Sequence, residues 1–503
     1  MHFVFYPTHE FRCAHVSHCP HLGGAALSTL VDAADEQTEW TDALLRQIDT
    51  LRAEGTAKYH QIQELTARVE QLQRELKAER QKQFRRQAEQ TGTESSTADA
   101  LPGPRKHGAP QGHPGWFRPR PTAFDEAVFV PAATRCPHGA GSVKARPDRP
   151  MYEHLQEDWA DGRRVVICYR HEAGRCRKCR RWVRSLGTGE LPRARIGPHL
   201  RAMSWFLQFD IGLTIRKVVR AVEGLTPLGF VPASLLRFGK QAAAKAKPLA
   251  VDVAEKLRAC DCNHADETYY RMEAKPAYVW FHGNEDLAHF CITATRSGKV
   301  SRTILGEDYQ GGLVTDCYSG YNRHATPLKQ KCLAHLKRAA RDWCQRVPED
   351  ALQSRAFFAA VVQWVKRGCA WHRARNQCET PAHTAEAEWL RQEFSRLEHM
   401  PTDSPRAARL QKRLLRHHHQ WLTFIDHPGI APTNNLAEQA VRAVVILRKL
   451  TFGSRTRAGA KRLGTLLTVI ETAKRQGQQS LRFLVALLTT SSQDACRAMY
   501  SRK

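Results

Sequence analysis

Three carboxylates in this chain stand where a carboxylate serves either as a local structural device or as a metal ligand. Asp266 lies in HADETYYR, Asp316 closes the apolar run GGLVTD, and Glu438 follows Asn434 and Asn435 in APTNNLAEQAVRAVV. Glu438 three residues after Asn435 has the spacing of a helix N-cap with an acid at N3, and locally the cap reading leads. Asp316 at the end of a buried strand is costly unless it meets a cation. Glu267 neighbours Asp266, and adjacent strand residues face opposite sides, so only one of the two can enter a shared site. Two strand-borne acids and a third at a helix start suit a pair of Mg²⁺ ions roughly 4 Å apart, which take oxygen ligands and a substrate's phosphates. Each acid alone reads as a turn or cap residue; the ordered trio carries the metal reading.

Softer ligands form a second set. RCRKCRRWVR places Cys176 and Cys179 as CxxC, and RCPHGAG upstream offers Cys136 and His138. With the strand-like RRVVICYRH between them, these four resemble the ligands of a structural Zn²⁺ ribbon. Cys168 and His171 form a competing CxxH pair beside the same CxxC, and a redox CxxC or free thiols is the remaining reading. Arg175, Arg177, Lys178, Arg180 and Arg181 would hold phosphates whichever ligands are right. Cys13, His15, His18, Cys19 and His21 crowd the first residues in a spacing that matches no ordinary finger.

The elements that must position these groups follow from periodicity. HADETYYRME, AYVWFHG and LAHFCITAT read as three consecutive antiparallel strands. A short helix near residues 299–305, the buried strand ending at Asp316, and QKCLAHLKRAARDW passing from strand to helix complete the order of a ribonuclease H-like domain. Residues 198–250 read as helices around a Gly/Pro turn, with the second beginning near Ser234; a helix-turn-helix and a plain helical hairpin fit equally. Leu44, Ile48, Leu51, Ile62, Leu65, Val69, Leu72 and Leu76 follow an alternating three-four spacing, a coiled-coil seam in preference to a helix folded onto its own chain. The Gly/Pro/Ser-rich stretch that follows has no period and reads as an extended basic linker.

At 503 residues there is room for several domains, and a formal charge of +27 points to a polyanionic partner. No apolar run approaches the roughly 18 residues of a membrane span, and the N-terminus lacks a basic start with a long apolar stretch. An intracellular protein with nucleic acid as partner is expected, its fifteen cysteines being thiols or metal ligands.

The ordered stretches KQFRRQAEQ, GAPQGHPG, the cysteine pairs, HADETYYR, VTDCYSGY, CLAHLKRAARDW, TNNLAEQAVRAVVILRK and TLLTVIETAKRQG resemble the insertion-sequence-66 family of bacterial DDE transposases over roughly residues 40 to 490. The resemblance implies catalytic acids Asp266, Asp316 and Glu438 on two Mg²⁺ (Mn²⁺ can substitute), with cleavage at the ends of an insertion sequence and joining of the 3′-hydroxyls to target DNA. A non-catalytic DNA-binding protein and a nuclease without strand transfer are the alternatives. Double-stranded DNA, a second protomer through the coiled coil and accessory transposition proteins are the implied partners, in the bacterial cytoplasm at the nucleoid. Asn434 and Asn435 would position the helix start, and Arg442, Arg448 and Lys449 would contact phosphates. The chain departs from the family in CPHG, where a second cysteine commonly follows the first CP, and at Gln439, where arginine usually follows the glutamate.

The expected architecture is multidomain α+β: a Cys/His-rich segment (1–40), the coiled coil (41–90), the basic linker (91–135), a zinc-ribbon-like module (136–197), a helical DNA-binding region (198–258), the ribonuclease H-like α/β catalytic domain (259–344 and 426–503) and a helical insertion (345–425).

Overall fold

The computed structural model describes residues 118–375 and 381–501, together with scattered residues between 46 and 75. The chain divides into two units, 1–116 and 117–503. In the first, the described residues are helical (α1, between 46 and 75). Leu51, Leu65 and Leu72 on it are 61%, 59% and 48% exposed. Leu44, Ile48, Ile62, Val69 and Leu76 lie outside the described residues, as do the Cys/His-rich segment and most of the basic linker.

The second unit opens with β1 (Glu126–Val130), β2 (Val143–Ala145), β3 (Tyr152–Ala160), β4 (Arg163–His171), β5 (Gly174–Cys176) and β6 (Trp182–Val183). β1 falls inside the stretch expected to be linker. The short run EAVFV gains order by pairing in parallel with β4, a long-range partner that local composition does not reveal. β3 and β4 form a hairpin whose two-residue turn, Asp161–Gly162, has both φ angles positive, as a type I′ turn requires. The sheets run β1-β4-β3 and β2-β5-β6.

This part is joined to the following helices through one buried carboxylate. Asp158 on β3 accepts the N–H groups of His199 and Leu200 at 3.0 and 2.7 Å, capping the free amides of α2 (Pro198–Trp205). Gly197 lets the two meet, because a Cβ there would lie 2.5 Å from the Asp158 carboxyl. A π-helical turn (Phe206–Asp210), α3 (Ile215–Leu225) and α4 (Pro232–Arg258) follow. α4 buries Leu235, Phe238, Ala242, Ala246, Leu249, Val253 and Leu257 along its length. The longer helix of the α3–α4 pair therefore belongs to the core along its length.

Next come β7 (Cys262–Met272), β8 (Lys275–Gly283), β9 (Ala288–Thr293), α5 (Lys299–Leu305), β10 (Gly312–Thr315), β11 (Lys329–Lys331) and α6 (Leu333–Cys344). The five strands form one sheet in the order β11-β10-β7-β8-β9, with β7–β9 antiparallel and β10 and β11 parallel to β7. β7, the longest, is central, and its register sets Gly312, Leu313 and Val314 beside Cys262, Asn263 and His264.

Four helices, α7 (Leu352–Arg375), α8 (Pro381–His399), α9 (Pro405–Arg416) and α10 (His418–Asp426), then build a second core around Phe357, Trp364, Leu390, Phe394, Leu410 and Trp421. The chain returns through α11 (Asn435–Thr451), α12 (Arg457–Arg475), α13 (Ser480–Thr489) and α14 (Ser492–Tyr500) to the core shared by the sheet and α4. Phe394 packs 4.8 Å from the Trp364 ring and is fully buried. Phe394→Ala is expected to destabilise this second core by about 3–5 kcal/mol, read from chemical denaturation.

Candidate active site and cysteine centre

β7 and β10 bring the first two acids together. Two residues past the last pair, Val314 and His264, the same parallel register brings Asp316 level with Asp266. Asp316 Oδ1 accepts the Tyr318 N–H at 2.8 Å, and the buried Lys331 on β11 donates from Nζ to the Asp316 carbonyl at 3.1 Å, so this strand end is held from both sides. Asp266 Oδ1 accepts the Glu267 N–H at 2.9 Å. Burial, then the charges of Glu267, Asp316 and Glu438, push the Asp266 carboxyl up to about 8. Asp316 and Glu438 therefore act on Asp266 across 50 and more residues of sequence.

Glu267 is as buried as its neighbour but already provided for. Arg296 donates to its Oε1 at 2.6 and 3.0 Å, and the Tyr321 hydroxyl donates to Oε2 at 2.5 Å. Burial still pushes Glu267 above its ordinary range. Both Glu267 oxygens are thus engaged by side chains, whereas Asp266 accepts only a backbone N–H.

Glu438 sits in the first turn of α11, and the helix start differs from the expected cap. Asn434, not Asn435, is the N-cap residue, and its side chain makes no cap hydrogen bond. It is fully buried and used elsewhere: Nδ2 donates to the Ala265 carbonyl at 2.8 Å, and Oδ1 accepts from His264 Nδ1 at 3.1 Å. Burial holds His264 down at about 4, so its ring is a neutral donor. The Asn434 N–H meets Cys332 Sγ at 3.1 Å, and Leu333 N–H donates to the Pro432 carbonyl at 2.9 Å. The pins lie beside Asp266, so the start of α11 is fixed against β7 by a side chain that propensity alone assigns to capping. Asn435 is exposed at the first helical position.

Residues not foreseen from the sequence complete the surroundings. His335 Nδ1 lies 3.4 Å and Arg338 Nη2 3.7 Å from the Glu438 carboxylate, both on α6. Cys332, His335 and Glu438 place one ligand atom each within 4.8 Å of one another. Glu438 Oε1 is buried without a hydrogen-bond partner, an unmet acceptor of the kind a cation satisfies. The CxxH spacing of Cys332 and His335 was the available signal. Arg448 is committed to the fold: its guanidinium donates to the Tyr269 carbonyl, while Arg442 and Lys449 are exposed.

The cysteines form a separate centre. Cys136, Cys176 and Cys179 place their sulfurs within 4.8 Å of one another, with Cys136 and Cys179 at 3.5 Å. His138 is exposed and outside this group, and Cys168 and His171 are buried elsewhere on β4. The N–H of Cys179, then those of its neighbours, draw the Cys176 thiol down to about 7, toward the thiolate that binds metal. Two turns of the same form hold the sulfurs. In one, Ala140 N–H donates to the Cys136 carbonyl at 3.0 Å and Cys136 N–H to Gly141 at 2.9 Å; in the other, Arg180 donates to Cys176 and Cys176 to Arg181 at the same distances. Ala140 and Arg180 both have φ near +55° (51° and 59°). Gly139 thus occupies the place of Cys179, and a Cβ built on it falls 3.7 Å from Cys179 Sγ. His138 does not join because it precedes the ligand position of this turn. Arg175, Arg177, Lys178, Arg180 and Arg181 are all exposed around the knuckle.

Two outcomes are expected. The unfolded Asp266 ionises near 3.8 and the folded one near 8, so the metal-free protein loses stability as pH rises from about 4 to 8. Asp266→Asn should therefore raise the melting temperature of metal-free protein by a margin that grows over that range and levels off above it; Mg²⁺ should narrow the gap by stabilising the wild type. Gly139→Cys should tighten zinc, measured by competition with a chromophoric chelator, and shift the Co²⁺ spectrum toward that of four thiolates.

A family model for transposases of the IS66 family matches residues 193–462, more than half of the chain and all three acids. No curated protein matches. No helix among the described residues is long and apolar enough to cross a membrane. The matched span runs from the start of α2 through the five-stranded sheet and the second core into α12, and on that match the chain belongs to the IS66 family of transposases.

Proposed function

We propose that this transposase is a DDE enzyme that cuts DNA at the ends of an insertion sequence and joins the freed 3′-hydroxyls to target DNA, with Asp266, Asp316 and Glu438 holding two Mg²⁺ (or Mn²⁺). The observation that carries this reading is Asp266, buried among the charges of Asp316, Glu438 and Glu267 and driven up to about 8. A buried cluster of carboxylates is unfavourable unless divalent cations neutralise it. The strand order β11-β10-β7-β8-β9, with acids on the first and fourth strands of this domain and on a later helix, supports a ribonuclease H-like catalytic domain.

When bound, the ions would supply activation of the attacking oxygen and neutralisation of the leaving one. The protein's own part is positional. Asp266 releases its proton as the site loads, and the Asn434 contacts keep Glu438 opposite the two strand acids. Glu267 stays with Arg296 and Tyr321, which leaves the acid count at three. Asn435, exposed at the helix start, lies on the substrate side with Arg442 and Lys449, which contact phosphates. Arg448 supports them through its hold on β7.

Cys136, Cys176 and Cys179 would hold a structural Zn²⁺, and the arginines and lysine around them would grip DNA. The α3–α4 region and the zinc module would read the terminal repeats, and α1 would pair protomers as a coiled coil so that two ends are handled together. Accessory proteins and a cytoplasmic, nucleoid-associated setting complete this reading.

A supercoiled plasmid carrying two element ends tests it. Wild type with Mg²⁺ should nick at the ends and give joined products. Asp316→Asn and Glu438→Gln should retain end binding and folding while losing cleavage by at least about a hundredfold, since each removes a ligand of a metal centre worth several kcal/mol. Cleavage without joined products would make it a nuclease, and an active Glu438→Gln protein would sink the assignment of the third acid.

A further inference from the structure

A second cluster of ligand-type side chains lies away from both the carboxylates and the cysteines. His154 on β3, His171 on β4 and Glu190 in the loop after β6 place one ligand atom each within 4.8 Å of one another, and all three side chains are more than nine-tenths buried. The antiparallel register explains the meeting. His154 pairs with Tyr169 and Tyr152 with His171, which sets the two imidazoles diagonally on one face of the sheet. The loop then lays Glu190 across them, with Oε1 at 2.5 Å from His154 Nδ1 and 3.0 Å from His171 Nε2.

The surrounding bonds fix the donor atoms inward. His154 Nε2 faces the Ala194 carbonyl at 3.0 Å; a carbonyl only accepts, so Nε2 carries a proton and Nδ1 is the nitrogen turned to Glu190. Glu190 Oε2 accepts the Gly187 N–H at 2.8 Å, which leaves Oε1 as the shared atom. Gln156 clamps the loop on both sides of Glu190, accepting from Leu191 N–H at 2.9 Å and donating to the Gly189 carbonyl at 3.2 Å. A lone pair and a carboxylate oxygen at 2.5 Å repel unless positive charge lies between them. Three potential ligand atoms thus converge on one point, where a proton on each ring or a single cation satisfies them. His171 Nδ1 is buried with no hydrogen-bond partner, while Nε2 is the nitrogen that faces Glu190. An imidazole whose other nitrogen bonds a backbone carbonyl, and a carboxylate held by a backbone N–H, are the supports that metal ligands commonly have.

We propose that His154, His171 and Glu190 bind a divalent transition-metal ion, with zinc the ion that a two-imidazole, one-carboxylate set favours. The site would fasten the 185–196 loop to the β3–β4 hairpin. It lies at the other end of the β4–β5 segment from the cysteine centre, so one short stretch of chain would be anchored by two ions of different ligand chemistry.

The test is metal stoichiometry and Co²⁺ absorption on the full chain. Wild type should hold one more equivalent of zinc than the cysteine centre takes. A Cys176→Ser/Cys179→Ser protein should keep that equivalent and, loaded with Co²⁺ alone, show weak visible bands without the intense sulfur-to-metal absorption in the near ultraviolet. Adding Glu190→Gln, which keeps the side chain's size and its acceptor for Gly187, should remove the bands and weaken Co²⁺ binding at least about tenfold. If the double serine protein melts cooperatively yet binds neither ion, or if Glu190→Gln leaves Co²⁺ affinity unchanged, the cluster is a hydrogen-bonded one bridged by protons and the proposal fails.

Discussion

Carboxylates cannot be gathered at the end of a buried strand without compensation, and this structure is arranged around how that compensation is divided. Glu267 receives its own cation and a hydroxyl, and so is removed from the account within the protein. Asp266 receives only a backbone N–H and stays protonated through the neutral range in the metal-free protein. The fold is therefore least at ease where the proposed chemistry needs it to be, and the relief comes from outside the chain. A site that bound its acids with arginines throughout would be more stable and would have no room for metal.

The tie that makes this division spatially exact is Asn434. Its amide spans His264 and Ala265 on β7, while its backbone meets Cys332 at the start of α6. Three segments far apart in sequence converge on it, and two helix N-termini begin there. A helix N-terminus favours negative charge, and Glu438 lies in the first turn of α11. His335 and Arg338 come from the first turns of α6 and face Glu438, so the same junction supplies the third acid and the groups that steady it.

How much of this was legible follows from the range of each interaction. The strand order around Asp266 and Asp316, the helix carrying Glu438 and the strand RRVVICYRH belong to local periodicity and could be read directly. So could the CxxC. The division of labour between Asp266 and Glu267 could be read only halfway: alternation says that one faces inward, but Arg296 and Tyr321, which decide which, come from elements further along. The cap expected at Asn435 misled for a related reason, because Asn434 stands at the N-cap position. An asparagine before a helix is a capping residue by propensity, and only the approach of β7 gives its amide a different employment. A missing cysteine was visible in CPHG, yet that the turn at Gly139 still presents a Cβ direction toward Cys179 needed the fold. The meeting of His154, His171 and Glu190 has no linear spacing to announce it.

The insertion between the second and third acids raises the question of how a separate helical core avoids disturbing the site. Its two ends close on the same junction, since Leu333 at the start of α6 is hydrogen-bonded to Pro432 just ahead of α11. Its last helix also performs a task for the sheet. Thr423 donates to the Lys329 carbonyl, Phe424 N–H meets Gln330 Oε1 at 2.9 Å, and Gln330 Nε2 reaches Trp421, so α10 covers the exposed edge of β11. At the opposite edge, Thr468 and Thr472 of α12 accept the N–H groups of Phe290 and Ala288 on β9. Both open edges are thus satisfied by side chains of helices, which removes the unpaired strands that invite association. It also leaves β7 and β10 central, braced on each side. The two strands that carry acids are those whose positions the edges cannot perturb, and the long insertion is part of the reason.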